Sequence, residues 1–190
     1  MINKCVFLEL VKIFGSPAID LFASRLNKQV TTFVSWKPDP DALFIDAFSR
    51  PWQELNLYAF PPFSVAGRCI NKIKQEKAQG VIILPLWPAQ TWFPIALQMM
   101  TSIPVLLPPD SIHLPHTNKK HPLHKTLQLM ACQLSGDLLK GEEFRSLLSM
   151  SLCHLGGNQI SRSINAILRD STLSAMNGIK IPITQMKLKF

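Results

Sequence analysis

The chain has 190 residues, of which 47% are hydrophobic and 17% charged, so it has enough apolar side chains to fold around a core. This composition excludes a wholly disordered chain, for which low hydrophobicity and high charge are typical. The formal net charge of +8 is compatible with nucleic-acid contact, although the sequence has no dense basic stripe. The most apolar stretch, residues 81–100, is interrupted by three prolines, which favours a buried strand and helix over a membrane span.

The cysteines Cys5, Cys69, Cys132 and Cys153 are widely spaced, with no Cys-x-x-Cys pair among them. Such scattered cysteines are typical of reduced thiols in an intracellular protein. The N-terminus lacks a small-residue cleavage site after its short apolar run, so no signal peptide is expected. We therefore expect an intracellular protein, in the cytoplasm or the nucleus, that is not inserted in a membrane.

The first sixty residues predict one helix and four strands. Apolar residues recur at helical spacing over residues 5–14, and Gly15 and Pro17 then stop the helix. A proline-rich turn is expected over residues 37–41. The strands are predicted from short apolar or β-branched runs, which cover residues 18–22, 31–36, 43–47 and 57–60.

Alternating helices and strands continue to residue 107. Ser64 has the chemistry of an N-cap for an amphipathic helix over residues 65–78, which Gly80 is expected to end. The uninterrupted apolar run 81–86 is typical of a strand covered on both faces. A helix over residues 91–100 and a last strand over 105–107 follow. This order predicts an α/β fold with a largely parallel sheet and helices on both faces.

The character of the chain changes after Pro109. Residues 110–124 are rich in proline, histidine and lysine and are expected to form a surface loop. Helices are predicted over residues 124–134 and 142–153, and residues 160–190 show no clear core pattern. We therefore expect two parts, which are an α/β domain over residues 1–134 and a helical, loosely structured linker or tail over residues 135–190.

Two acidic residues follow predicted strands and are candidates for ligand binding. Asp20 lies at the end of the first core strand, and Asp46, after Leu43-Phe44-Ile45, has the same strand-end placement in the third. In open α/β sheets the carboxyl ends of the strands are where ligands bind, so these carboxylates could accept hydrogen bonds from a nucleotide-like cofactor. The alternative is a structural role, with Asp20 bracing a loop and Asp46 solvated.

The tetrapeptide Phe60-Pro61-Pro62-Phe63 is the most distinctive sequence motif. Two prolines between aromatic residues at a strand end predict a rigid loop whose rings offer stacking faces for a base. A proline-rich turn over the core is the alternative explanation.

Metal chemistry has weaker support in the sequence. The histidines His113, His116, His121 and His124 are spread over a proline-rich loop without a cysteine partner, so no metal site is predicted there. A two-metal nuclease would need carboxylates that converge from separate elements, and the spacing does not demonstrate convergence of Asp20, Asp39, Asp41, Asp46 and Glu54. The sequence also contains no glycine-rich phosphate loop, nucleophile elbow or HExxH motif.

The order of these segments resembles a known family of polyproteins. The segments DLFASRLNKQ (20–29), SWKPDP (35–40), FPPF (60–63) and HPLH (121–124) resemble the polyproteins of DIRS-type, tyrosine-recombinase retrotransposons. The resemblance covers about residues 13–134 and implies a position downstream of the reverse transcriptase and ribonuclease H domains. The tail, with NGIKIPI (177–183), resembles the poorly structured segment that follows in such elements.

The same region resembles, more distantly, the phage Dam-type adenine methyltransferases. This resemblance implies a Rossmann-like, methyltransferase-type sheet and S-adenosylmethionine as the cofactor. The positions that match its cofactor-binding and catalytic segments are Asp20 and Ala23 in the first cofactor loop, Asp46, Ala47 and Phe48 (with Trp52 beyond) in the second, and Pro61, Pro62 and Phe63 in the catalytic loop.

Phe60 departs from the methyltransferase pattern. In that family the corresponding Asn or Asp accepts a hydrogen bond from the target amino group, and the loss of such an acceptor costs two to three orders of magnitude in rate. The resemblance therefore implies a methyltransferase-like scaffold with impaired catalysis. Its expected role is to bind nucleic acid, DNA or an RNA–DNA intermediate, or to serve as a spacer between reverse transcriptase/ribonuclease H and the recombinase.

Alternative interpretations remain open at this point. The chain could be an active adenine-specific DNA methyltransferase, against which Phe60 argues. It could instead be part of the adjoining ribonuclease H or reverse transcriptase unit, but no Asp-Glu-Asp-Asp set is recognisable. A third alternative is a decayed fragment without a function of its own.

Overall fold

A computed structural model describes residues 1–114, 122, 126–153, 172–176 and 179–186 of the chain. Within these residues the main feature is an eight-stranded, mostly parallel β-sheet, so the predicted α/β class is confirmed. The helices are α1 (Lys4–Phe14), α2 (Ala66–Glu76), α3 (Phe93–Gln98) and α4 (Leu138–Cys153). The strands are β1 (Ile19–Ala23), β2 (Phe33–Ser35), β3 (Phe44–Ile45), β4 (Asn56–Ala59), β5 (Gln79–Pro85), β6 (Val105–Leu106), β7 (Leu129–Ser135), β8 (Thr172–Met176), β9 (Ile179–Pro182) and β10 (Thr184–Gln185).

The strand order in the large sheet is β10-β6-β7-β5-β4-β1-β2-β3. Strands β1 to β5 run parallel to one another, and β7 lies antiparallel between β5 and β6. From β1 the chain builds the sheet outward through β2 and β3, and then returns to add β4 on the other side of β1. The order therefore reverses between β1 and β4, which is the position where open α/β sheets hold their ligands. Strands β8 and β9 form a separate antiparallel pair.

Side chains alternate between the two faces of the sheet, and each face has its own apolar core. On β4, Leu57 and Ala59 join the core that contains the buried residues of α2 and α3. Tyr58 points to the opposite face, where Phe7 of α1 packs against it. Helices thus cover both faces, as the alternation of elements predicted.

The first helix is defined by its two ends. The Asn3 side chain accepts a hydrogen bond from the Cys5 backbone N–H, and Gly15 ends the helix at a φ of 88°. Asparagine is a favoured N-cap, and glycine adopts positive φ without steric cost. The helix then packs Val6, Phe7 and Leu10 onto the sheet, so the local sequence fixes both its length and its buried side.

The predicted ends of the second helix are wrong. Ser64 makes no cap, because a short 3-10 turn over Phe63–Val65 precedes α2. The helix ends at Lys77, which adopts the left-handed conformation at a φ of 52°. Gly80 belongs instead to β5, where an added Cβ would lie 2.1 Å from the carbonyl oxygen of Leu57. This glycine is needed because the two backbones approach closely.

The prediction for residues 124–134 is also wrong. The helix expected there is replaced by β7 over Leu129–Ser135, which pairs along its whole length with β5. Its composition of Leu, Met, Ala and Gln favours a helix, but a central position in the sheet covers both of its faces and overrides that preference. Residues 123–125 lie outside the described residues. The helix predicted over residues 142–153 is confirmed within α4.

Part of the C-terminal region also belongs to the main sheet. Strand β10 pairs with β6, and Ile181 and Ile183 are buried in the core that holds α2 and α3. Residues 160–190 show no clear core pattern in the sequence, but Ile181 and Ile183 nevertheless belong to the core. Residues 154–171, 177–178 and 187–190 lie outside the described part.

Two further findings concern membrane spans and cysteines. None of the described helices is both long and apolar enough to cross a membrane. Cys5, Cys69 and Cys132 are free thiols, and burial raises the pKa of Cys69 to about 12 and that of Cys132 further still. The two buried thiols are consequently unreactive packing residues.

Candidate functional site

A cavity of about 580 Å³ opens at the carboxyl ends of β1, β2, β3 and β4. Its size is in the range of small-molecule and cofactor sites. Each of the four strands contributes the residues that follow its last paired position, which places the cavity at the reversal of strand order. The predicted site residues that it brings together are Asp20, Ala23, Asp46, Ala47, Phe48, Phe60 and Pro62.

Asp20 is only 2% exposed and lines this cavity, but it is the second residue of β1 and does not lie at the end of the strand as predicted. Its Oδ1 accepts a hydrogen bond from the Phe22 backbone N–H (3.3 Å), and its Oδ2 accepts one from the Gln29 backbone N–H (3.0 Å). Burial raises the pKa of Asp20 to about 6, and these two hydrogen bonds oppose the rise. The carboxylate therefore braces the turn after β1 and also retains acceptor capacity toward the cavity.

The segment after β3 forms the outer wall of the cavity. Asp46 is exposed, has a φ of 60° and accepts a hydrogen bond from the Phe48 backbone N–H (3.0 Å). Asp adopts a positive φ more often than most residues other than glycine. Trp52 supports the wall from within the core, because its indole Nε1–H donates to the Ala47 carbonyl oxygen (2.7 Å). The guanidinium of Arg68 lies 3.8 Å from the centroid of the Phe48 ring.

The Phe60–Phe63 loop is divided between the cavity and the aromatic surface beside it. Phe60 and Pro62 line the cavity, whereas Pro61 is buried and Phe63 lies outside the cavity lining. The ring centroids of Phe60 and Phe63 are 6.3 Å apart, and Phe63 contacts Trp87 edge-to-face at 5.3 Å. The loop thus presents aromatic rings, and its first side chain has no hydrogen-bonding group.

Trp36, Gln29 and Tyr58 are among the cavity residues that the sequence did not indicate. Trp36 follows β2 and is 73% exposed, and its ring lies 4.2 Å from the Lys37 ammonium. Gln29 lies in the connection after β1, and Tyr58 lies on β4. Tyr58 is the only tyrosine of the chain and alternates with apolar neighbours, which was a usable signal. No local pattern distinguished Gln29, because its position depends on how the turn folds back.

The cavity is acidic and aromatic in character. Of the described residues that line it, two are aspartates and none is lysine, arginine or histidine. Phosphate groups in binding sites are usually held by arginine or lysine side chains. The lining therefore favours a ligand that is neutral or positively charged over a nucleoside phosphate.

Among the described residues, the other carboxylates and His113 form no common group. Asp39 accepts hydrogen bonds from the Asp41 and Arg25 backbone N–H groups, which makes it a turn residue. Across the described portions of the chain there is no group of three His, Cys, Asp or Glu side chains that could hold a metal ion. His113 is described, but the other three histidines of the proline-rich loop, at positions 116, 121 and 124, lie outside the described residues.

Comparison with protein-family models finds no match, and comparison with curated proteins likewise finds no similar protein.

Proposed function

We propose that this chain is a methyltransferase-like binding domain that holds S-adenosylmethionine, or its demethylated product, and has lost methyl transfer. The observation that supports it is the cavity at the carboxyl ends of the strands. Three separate sequence segments line this cavity, and their residues are Asp20 and Ala23, Asp46 to Phe48, and Phe60 with Pro62. These are the segments in which the sequence resembles Dam-type methyltransferases.

The sheet supports the same proposal. The order β3-β2-β1-β4-β5 places the switch point between β1 and β4, and an antiparallel β7 follows beside β5. This arrangement suits the Rossmann-like, methyltransferase-type sheet that the sequence resemblance implies. The absence of cationic side chains from the described lining also suits a ligand with a sulfonium and an ammonium group.

Phe60 is the reason for proposing that methyl transfer is lost. The resemblance assigns to this position the side-chain oxygen that accepts a hydrogen bond from the target amino group. A phenylalanine ring offers no such acceptor, and an active site without it loses rate by a factor of about 10²–10³. The remaining role is binding, in a retrotransposon polyprotein with reverse transcriptase, ribonuclease H and recombinase as neighbours and nucleic acid as a partner.

Calorimetric titration with S-adenosylmethionine tests the proposal. We expect micromolar affinity for the wild-type chain, loss of binding in Asp20→Ala, and wild-type binding in the control Asp41→Ala. Asp41 is an exposed turn residue outside the cavity lining. Its replacement also removes one carboxylate, but at a position that does not face the cavity. ATP should give no heat in the same cell. A folded wild-type chain that binds no S-adenosylmethionine would refute the proposal.

A further inference from the structure

Two residues that line the cavity have buried polar atoms without hydrogen-bond partners. Among the described residues, three buried side-chain oxygens make no hydrogen bond, and two of them, Gln29 Oε1 and Tyr58 Oη, belong to residues that line the cavity. Buried polar groups are nearly always paired, so an unpaired atom requires an explanation. Two such atoms in residues that line one cavity are candidates for hydrogen bonds to a bound molecule.

These atoms are held in place by the surrounding structure. Gln29 Nε2 donates to the Ile2 carbonyl oxygen (2.8 Å), and this bond orients the amide, whose oxygen is left without a partner. The Tyr58 ring packs edge-to-face on Phe7, with 5.0 Å between centroids. Asp20 is the strand partner of Tyr58, and its carboxylate also accepts the Gln29 backbone N–H. The three residues are therefore neighbours, since Asp20 pairs with Tyr58 across the strands and accepts the Gln29 backbone N–H.

The cluster is composed almost entirely of acceptors. Gln29 Oε1 can only accept, the Asp20 carboxylate has lone pairs beyond those used by its two backbone donors, and Tyr58 Oη can accept or donate. An ammonium group has three donors and a positive charge, and it therefore matches three acceptors of which one is a carboxylate. A hydroxyl supplies only one donor, and a carboxylate or phosphate supplies none.

We propose that Gln29 and Tyr58, together with Asp20, form a subsite that selects a ligand carrying a protonated primary amine. The proposal rests on the proposed function, because the amine considered is that of an adenosyl amino acid. It assigns a role in ligand specificity to Gln29 and Tyr58, which the sequence did not single out.

The test uses two ligands that differ in one group, S-adenosylhomocysteine and its analogue with hydrogen in place of the amino group. We expect the wild-type chain to bind the amine about tenfold more tightly or better, the range for a hydrogen bond to a charged group. In Tyr58→Phe and Gln29→Met the ratio of the two affinities should fall toward one. Ser102→Ala is the matched control, because Ser102 Oγ is the third unpaired buried oxygen and lies outside the cavity lining.

Each outcome is distinct. Equal wild-type affinity for the two compounds overturns the subsite and leaves adenosyl binding standing. An unchanged preference in Tyr58→Phe and Gln29→Met also overturns it. If Tyr58→Phe unfolds at a lower urea concentration than the wild type, the hydroxyl stabilises the folded structure and is not reserved for a ligand. That result would contradict the proposal. Failure of the folded wild-type chain to bind either compound overturns the proposed function and the subsite together.

Discussion

Asp20 and Tyr58 are direct partners on the neighbouring parallel strands β1 and β4, and each is only 2% exposed. Burial and the charge of Asp20 both raise the pKa of Tyr58, so the phenol stays protonated at any ordinary pH. The pair places an ionisable carboxyl and an unpaired hydroxyl at the point where the strand order reverses. A buried polar pair at this position is costly for folding, and such costs are typical of binding sites.

The first prediction concerns the pH dependence of stability. The pKa of Asp20 is about 6 in the folded chain and 3.8 ordinarily, so the folded state binds the proton more tightly. Stability is therefore lost as pH rises from 3.8 to 6, and the cost is fully present above pH 6. Relative to Asp20→Asn, the wild-type free energy of unfolding should fall by about 2 kcal/mol between pH 4.5 and 7. Urea titrations at the two pH values measure this difference, and parallel changes in both proteins would contradict it.

The second prediction concerns the lost acceptor at position 60. Phe60→Asn supplies a side-chain oxygen where the resemblance requires one, and we expect it to raise methylation of adenine-containing DNA above the wild-type background. Transfer of a radioactive methyl group from S-adenosylmethionine to DNA measures this. Phe60→Leu is the control, because it shortens the aromatic side chain without adding an acceptor. If Asn and Leu behave alike, the assigned role of this position is wrong.

The third prediction separates the cavity wall from the core. Trp36 is 73% exposed and lines the cavity, so Trp36→Ala should change the free energy of unfolding by less than about 0.5 kcal/mol. It should weaken S-adenosylmethionine binding about tenfold, since a stacked aromatic ring contributes about 1–3 kcal/mol per base. Leu26→Ala is the control, because Leu26 is 57% exposed but lies outside the cavity lining. Equal affinities of the two variants would show that the Trp36 ring does not contact the ligand.

The fourth prediction concerns the contact between β4 and β5. An alanine Cβ at position 80 would lie 2.1 Å from the Leu57 carbonyl oxygen, which is backbone and cannot turn away. Gly80→Ala should therefore lower the free energy of unfolding by about 2 kcal/mol or more. Gly67→Ala in α2 is the contrasting variant, since its Cβ meets only the Trp92 side chain, at 3.2 Å. A gain in helix propensity of about 1 kcal/mol offsets that contact, so its urea midpoint should stay near the wild-type value.

The sequence by itself determined the short elements of the first hundred residues. Helix α1 and the strands up to β5 carry their own signals, because a strand buried on both faces must be apolar and a helix end needs a capping residue. The sequence also identified Asp46 and Phe60 as strand-end residues, whereas Asp20, predicted at the end of the first core strand, is the second residue of β1. Their grouping around one cavity followed only from the parallel pairing of β1 to β4, which brings the carboxyl ends of the strands to one edge.

Only the tertiary structure decided the roles of β7, Gln29 and Tyr58. The sequence of β7 favours a helix locally, and it becomes a strand because pairing with β5 satisfies its backbone and both faces are covered. Gln29 reaches the cavity because the turn after β1 folds back onto the Asp20 carboxylate. The sequence could single out Tyr58 as the only tyrosine, but that its hydroxyl is buried without a partner follows only from the structure. Long-range pairing and the accounting of buried hydrogen bonds depend on residues far apart in sequence, and local patterns do not contain that information.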